Sequence, residues 1–418
     1  MSDIEDIRRL LEPGMNIYVA AYSGEPVTLL ALLSRAATDV PGLTYIQQPL
    51  AATNTTDLST LSPDATQKTF FMTPYLREGL RDGRVEYVPM HMRSVYRYLA
   101  TQRIDMALLQ AARDRNGVLR YGPNVDFLDA VLENSRYVLV EENTGYLAPT
   151  GTREVDRARV DVLVPASSSP PYYQAGEPDE ISSRIGEQIA ALIHDGDCLQ
   201  TGIGAVPAAV LANLRDRNDL GFHGGLIDES VMALIANGNL TGKCKAIDPG
   251  RHTTGIALGS EKLFAWLAQE SGDEVLFRSA NYTHDAVVIS GLDNFVSINS
   301  AIEIDLMGQV NAEVAGGKQI SGTGGSVDFM RAARMSRGGR SIVAMSSTAR
   351  GGSVSRIVPR VEVVTALRTD IDIVVTEYGV AELRNESLKT RAEKLIEIAH
   401  PDFRGELQAT LRSSAGTQ

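Results

Sequence analysis

Two stretches of this chain place chemistry-bearing groups where a ligand can meet them. The first is Gly202-Ile203-Gly204-Ala205-Val206-Pro207, directly after the apolar run Cys198-Leu199-Gln200-Thr201. A glycine turn between a strand and a helix leaves bare N–H groups at the helix N-terminus, where the helix dipole favours an anion or a polarised oxygen. Glycines also serve tight turns that bind nothing, so both readings stand. A dinucleotide fingerprint fits poorly, because Pro207 takes the place of its third glycine. The second stretch is Ile371-Asp372-Ile373-Val374-Val375-Thr376-Glu377. A carboxylate at the carboxyl end of a buried parallel strand is where open α/β sheets place ligand groups. The alternative is a first-turn residue held by the dipole of a following helix, and Val380-Ala381-Glu382-Leu383 reads as that helix.

Other segments carry weaker signals. Ile298-Asn299-Ser300-Ala301-Ile302-Glu303-Ile304-Asp305 and Gly308 to Glu313 alternate polar with apolar residues, as a strand does whose one face meets a polar site or a subunit contact. Ser321 to Phe329 contains Gly322, Gly324 and Gly325 ahead of a helix, a loop that either lets a ligand approach the backbone or merely connects. No acidic residue lies between Phe329 and Val361, which hold Arg331, Arg334, Arg337, Arg340, Arg350, Arg356 and Arg360. That run reads as a solvated face or as a phosphate contact. The six histidines show no metal-ligand spacing. Cys198 and Cys244 are too few for a disulfide framework and read as buried, reduced thiols.

The elements that must position these groups alternate along the chain. Met15 to Ala20 reads as a strand and Val27 to Leu33 as the start of a helix; Ile104 to Leu109 and Tyr137 to Val140 read as further strands. Such alternation implies a mainly parallel sheet covered on both faces. Ser167-Ser168-Ser169-Pro170-Pro171-Tyr172-Tyr173 is a linker, since small polar residues and two prolines continue neither regular structure. After it, Ile181, Ile185, Ile189, Leu192 and Ile193 share one helical face, and Pro207 suits the first turn of a helix from Ala208 to Leu214. Two α/β domains follow from this, 1–176 and 177–418.

At 418 residues, with 43% hydrophobic and 22% charged content, the chain is long enough for two cores and ordinary for a soluble globular protein. No apolar run approaches the roughly 20 residues that span a bilayer. The acidic start, Met1 to Asp6, lacks the pattern of a signal peptide, so the expected location is cytoplasmic. A net charge of −12 argues against nucleic-acid binding but leaves room for a small anionic ligand in a local basic field.

Taken in order, these segments resemble the acetyl-CoA hydrolase/transferase family, close to its 4-hydroxybutyrate CoA-transferases. The resemblance runs nearly end to end, through Pro89-Met90-His91, Asp105 to Gln110, Gly202 to Pro207, Tyr282-Thr283-His284-Asp285, Ile298 to Glu313, Ser321 to Phe329, Ser355-Arg356-Ile357-Val358-Pro359, Thr376 to Leu383 and Ile398 to Arg404. It implies two similar open α/β domains of the CoA-transferase type with the active site between them, in a homodimer. It implies an acyl-CoA substrate and a small carboxylate acceptor, with no metal, nucleic acid or membrane. By similarity Gly202, Ile203, Gly204, Ala205 and Val206 bind the thioester end of CoA, Asn299, Gly322 and Gly324 border its path, and Glu377 stands near the reacting carbonyl. In that family a glutamate attacks the thioester, forms an acyl anhydride, and is then captured as a glutamyl-CoA thioester, which needs a side chain able to be nucleophile first and leaving group later.

The departure lies at that glutamate. Family transferases read roughly His-Ser/Thr-Glu where this chain has His223-Gly224-Gly225. Glycine has no group to form the covalent intermediate; Asp228 and Glu229 follow, with the expectation that both lie on the next helix. Three readings stay open: a CoA-ester hydrolase using water activated by Glu377 or a nearby acid, a transferase using Asp228, Glu229, Glu377 or direct acceptor attack, and an acyl-CoA-binding protein without turnover. An NAD-dependent dehydrogenase is the outside alternative.

Overall fold

The computed structural model describes residues 3–415; Met1 and Ser2, the first residues of the acidic start, lie outside the described residues. It forms two compact units, one of residues 3–174 with 225–229 and 253–283, the other of 175–224, 230–252 and 284–415. Strand pairing explains why 225–229 belongs to the first unit. Leu226–Ile227 pairs in parallel with Ile256–Ala257, and Ile256 bridges to Asn124.

In the first unit seven parallel strands run in the order Val85–Tyr87, Thr66–Thr69, Thr44–Gln47, Asn16–Val19, Ile104–Arg113, Ser135–Asn143, Val162–Ala166. Leu119–Tyr121 adds an antiparallel edge. Ile17, Val19, Met106, Leu108 and Leu139 form one apolar face, covered by Leu29 and Leu33 of the helix Val27–Ala36. That helix begins after Pro26, which offers no side-chain cap. Glu141 of the sheet supplies the missing acceptor, taking the Leu29 N–H at 2.9 Å, which is why a carboxylate is tolerated in the core.

Asp126 is a second buried carboxylate in this unit. Its Oδ1 accepts the Phe127 N–H at 2.8 Å, its Oδ2 has no partner among the described residues, and burial pushes its carboxyl up to about 7. The folded protein therefore keeps a proton that the unfolded chain releases near pH 4. Stability from this group is complete below that pH and is lost as pH rises through about 7. Asp126→Asn removes the dependence, so its stability relative to the parent rises between pH 5 and pH 8 by on the order of 2–3 kcal/mol in urea denaturation. Equal differences at the two pH values would count against it.

In the second unit six strands run in the order Gly221–Phe222, Cys198–Thr201, Phe295–Ser300, Arg340–Ala344, Ile373–Thr376, Gly379–Glu382, parallel except for the last pair. Two expectations change here. The helix after the glycine turn is Ala205–Ala212, so it starts three residues before Ala208 and holds Pro207 inside its first turn. Residues 380–383 are not helical: Val375 pairs with Val380 and Thr376 with Gly379, which makes Glu377-Tyr378 the turn of a hairpin. Ala381 and Leu383 are buried while Val380 and Glu382 are exposed. That is the period of two of a strand, and four residues were too few to tell it from a helix.

The arginine run divides. Arg331 pairs with Asp370, Arg334 with Asp372, Arg337 with Asp293 and Arg340 with Asp197. Arg350 and Arg356 instead line a cleft. Among the described residues no helix is long and apolar enough to cross a membrane.

Candidate active site

The carboxyl ends of the second unit's strands carry the candidate groups. Glu377 sits in the hairpin turn, 5% exposed. Ser347, just beyond the strand Arg340–Ala344, clamps it: the Ser347 N–H donates to Oε2 at 2.8 Å and the hydroxyl to Oε1 at 2.7 Å. With no helix after it, the dipole-held alternative for Glu377 falls away. The turn is braced from beneath, with the Thr376 hydroxyl donating to the Ile398 carbonyl at 2.6 Å and the Gln188 amide to the Thr376 carbonyl at 2.9 Å. Two donors leave carboxylate lone pairs free.

Glu377 lines a cleft of about 680 Å³ together with Val206, Ser300, Ser346, Arg356 and His400. The Arg356 guanidinium is half-buried, and its Nε is enclosed without a hydrogen-bond partner among the described residues. Burial pushes its pKa down, opposed by the charge of Glu377. The Arg356 N–H donates to the Ser347 carbonyl at 2.8 Å, so the clamp residue also positions the arginine's backbone. Neither Ser347 nor Arg356 was singled out as a site residue in the sequence. The signal available was their place: Ser347 follows a strand, and Arg356 belongs to both the basic run and a family-like segment.

The glycine loop borders the same end of the sheet. The Gly202 N–H donates to the Ile298 carbonyl at 3.2 Å, and Gly204 has a φ of 113°. A Cβ at either glycine would meet nothing within 4 Å, so their outer faces are open. Ala205 and Val206 begin the helix, and Val206 reaches the cleft. Asn299 is buried and engaged: it and Gln200 exchange amide hydrogen bonds of 3.0 and 3.3 Å. Gly322 and Gly324 lie in the second loop, Gly324 with a φ of 53°. The neighbouring Gly325 has a packing reason, since a Cβ there would fall 2.3 Å from His284 Nε2. Burial lowers His284 to about 3, so the ring is neutral there. The polar groups of 303–313 are engaged within the fold, with Asn311 donating to Glu303 at 2.9 Å and Thr365 to Glu313 at 2.8 Å.

Comparison with known proteins decides the family. Residues 2–152 match the acetyl-CoA hydrolase/transferase N-terminal domain and 259–411 its C-terminal domain. The 4-hydroxybutyrate coenzyme A transferase of Clostridium kluyveri is 35% identical over 403 residues, 95% of this chain and 94% of that protein. This chain belongs to the acetyl-CoA hydrolase/transferase family. An acetyl-CoA hydrolase of Eremothecium gossypii is 25% identical, over 79% of this chain and 72% of its own. The structure of RipA from Yersinia pestis superposes with a TM-score of 0.90 at 31% identity, covering 99% of this chain and 97% of that one. The protein is thus an enzyme of a family whose substrates are CoA esters. Among the described residues no group of three or more His, Cys, Asp or Glu is placed to hold a metal ion.

The family enzyme's remaining candidates lie in the first unit. Asp228 is buried and precedes the helix Glu229–Ala236, so only Glu229 is on that helix, a correction to the expectation for Asp228. Glu229 is already committed, its Oε1 accepting the N–H of Ser260, the capping residue of the helix Glu261–Gln269. Gly225 is half-buried, and its carbonyl accepts the Gly255 N–H at 3.1 Å. Its φ is not among the left-handed values, so the backbone would admit a side chain. Gly224, in the second unit, would not: a Cβ there would lie 2.8 Å from the Phe222 ring. The Phe222 ring thus occupies the room that a serine or threonine at 224 would need.

Proposed function

We propose that this enzyme cleaves the thioester of an acyl-CoA by water attack, with Glu377 as general base. The observation that carries the reading is the Ser347 clamp on a carboxylate in the cleft, together with the glycine at 225 where a covalent route needs a side chain. A carboxylate held by two donors keeps one orientation and still accepts a water proton. In this reading the N–H groups of Gly202, Ile203, Gly204, Ala205 and Val206 face the thioester end of CoA, while Asn299, Gly322 and Gly324 border its path. Asp228 and Glu229 play no nucleophilic part; Glu229 stabilises the Ser260 turn.

Release of free thiol from acyl-CoA without any carboxylate acceptor tests the reading. Borohydride trapping should yield no reduced glutamyl or aspartyl residue by mass mapping; a trapped Asp228, Glu229 or Glu377 would sink the water mechanism. A second reading is supported by the transferase of Clostridium kluyveri, named for moving coenzyme A: CoA transfer by direct attack of an acceptor carboxylate. Its mark is thiol transfer strictly dependent on added acid. Gly225→Glu restores the side chain that the family's covalent route uses. Acetate-dependent CoA transfer is the expected gain in that variant, read by acetyl-CoA formation from a second acyl-CoA. An inert, folded variant would show that the surrounding site has diverged beyond the one residue.

A further inference from the structure

Arg356 is a cation with unspent donors in the same cleft as Glu377. An arginine taken half out of water ordinarily spends its fork on a carboxylate or on backbone carbonyls. The first four arginines of the run do so, each with its aspartate. Arg356 does not: its Nε is enclosed and without a partner among the described residues, although the charge of Glu377 is close enough to be felt. Glu377 is turned instead toward Ser347, which occupies both its oxygens. Ser347 engages both residues, Glu377 through its N–H and hydroxyl and the Arg356 backbone N–H through its carbonyl. A base and a cation whose Nε has no partner among the described residues therefore line one cavity.

We infer that Arg356 is a catalytic electrophile, its guanidinium donating to the thioester carbonyl oxygen as charge develops there. The inference rests on the proposed role of Glu377 and adds the group opposite it. As the water oxygen bonds to the carbonyl carbon, its proton passes to Glu377 and the carbonyl electron pair moves onto oxygen, facing Arg356. On collapse the C–S pair leaves with sulfur, and the proton on Glu377 goes to the thiolate, giving the free acid and CoA thiol. Glu377 ends as it began. A donor aimed at the developing oxyanion contributes to kcat more than to binding of the ground state.

The experiment is steady-state thiol release from one acyl-CoA by the full-length wild-type, Arg356→Lys, Arg356→Ala and Glu377→Gln proteins, with thermal midpoints measured alongside. Arg356→Ala should lower kcat about 10²- to 10³-fold with KM little changed. Arg356→Lys should recover part of the loss, and added guanidinium ion should raise the rate of Arg356→Ala but not of Glu377→Gln. Because the side chain makes no structural hydrogen bond through Nε, Arg356→Ala should keep the parental midpoint. A failure of the alanine variant to fold leaves Arg356→Lys to decide the matter through its kcat-against-KM split. Wild-type kcat in the folded arginine variants overturns the inference while leaving Glu377 standing. A loss confined to KM, with no guanidinium rescue, overturns it in favour of ground-state binding. A wild-type protein that releases no thiol overturns the functional reading and the inference together.

Discussion

Glu377→Gln is expected to release thiol from acyl-CoA about 10²- to 10⁴-fold more slowly than the parent, the range typical for loss of a positioned general base. The substitution preserves size, and its amide can still accept a hydrogen bond from Ser347. What disappears is the ability to take a proton from water. KM should move little, because the proposed binding mode places the CoA ester against backbone N–H groups that the change does not touch. Ser347→Ala separates orientation from basicity. The carboxylate stays but loses the 2.7 Å hydroxyl donor, so an intermediate fall in kcat is expected, with Ser347→Thr restoring most of it. Parental rates in Glu377→Gln would remove Glu377 from the chemistry, and with it the water mechanism as drawn.

The largest structural effect should come from Asp372→Ala. Asp372 is 1% exposed and directly precedes the strand Ile373–Thr376, which leads into Glu377. It gathers Arg334 by an ion pair, Arg384 through two hydrogen bonds of 2.6 and 2.8 Å, and the Ser341 N–H at 3.0 Å. Removing it leaves two guanidinium groups facing each other without their counter-charge. Fully buried partners lost in this way cost about 3–5 kcal/mol; both arginines here keep about a third of their side chains in water, so about 2–4 kcal/mol is expected. Urea denaturation measures it, and Asp372→Asn should lose less because it keeps an acceptor. A loss below about 1 kcal/mol would show the hub to be no better than a surface ion pair. Activity should fall beyond the stability loss, because Arg334 and Arg384 fix the base of the Glu377 hairpin.

How much of this was legible in the sequence differs from residue to residue. The strand Cys198–Thr201 and its glycine turn were readable because a short apolar run followed by glycines has few other structures available. Glu377 was readable as a strand-end carboxylate, but its surroundings were not: 380–383 is apolar enough for either period, and only its pairing with 373–376 made it a strand. Ser347 went unmentioned, and Arg356 was named only within the basic run and a family-like segment, because their significance is relational. One serine among several and one arginine among seven become site residues only when the strand ends carrying 347 and 377 lie side by side. Asp228 and Glu229 show the reverse. Both looked available as spare carboxylates, until the turn at Ser260 was seen to claim Glu229.

The sequence alone determined the α/β class, the CoA-ester family and the glycine at 225, because periodicity, motif order and residue type are local properties carried by the chain. Tertiary structure decided the rest. It sent 226–227 to pair with 256–257 in the first unit, closed the hairpin around Glu377, and tied four arginines to aspartates while leaving the Arg356 Nε in a cleft without a partner among the described residues. Hydrogen bonds and charge pairs join residues far apart in the chain, and which partner a group finds depends on the packing that brings strand ends together.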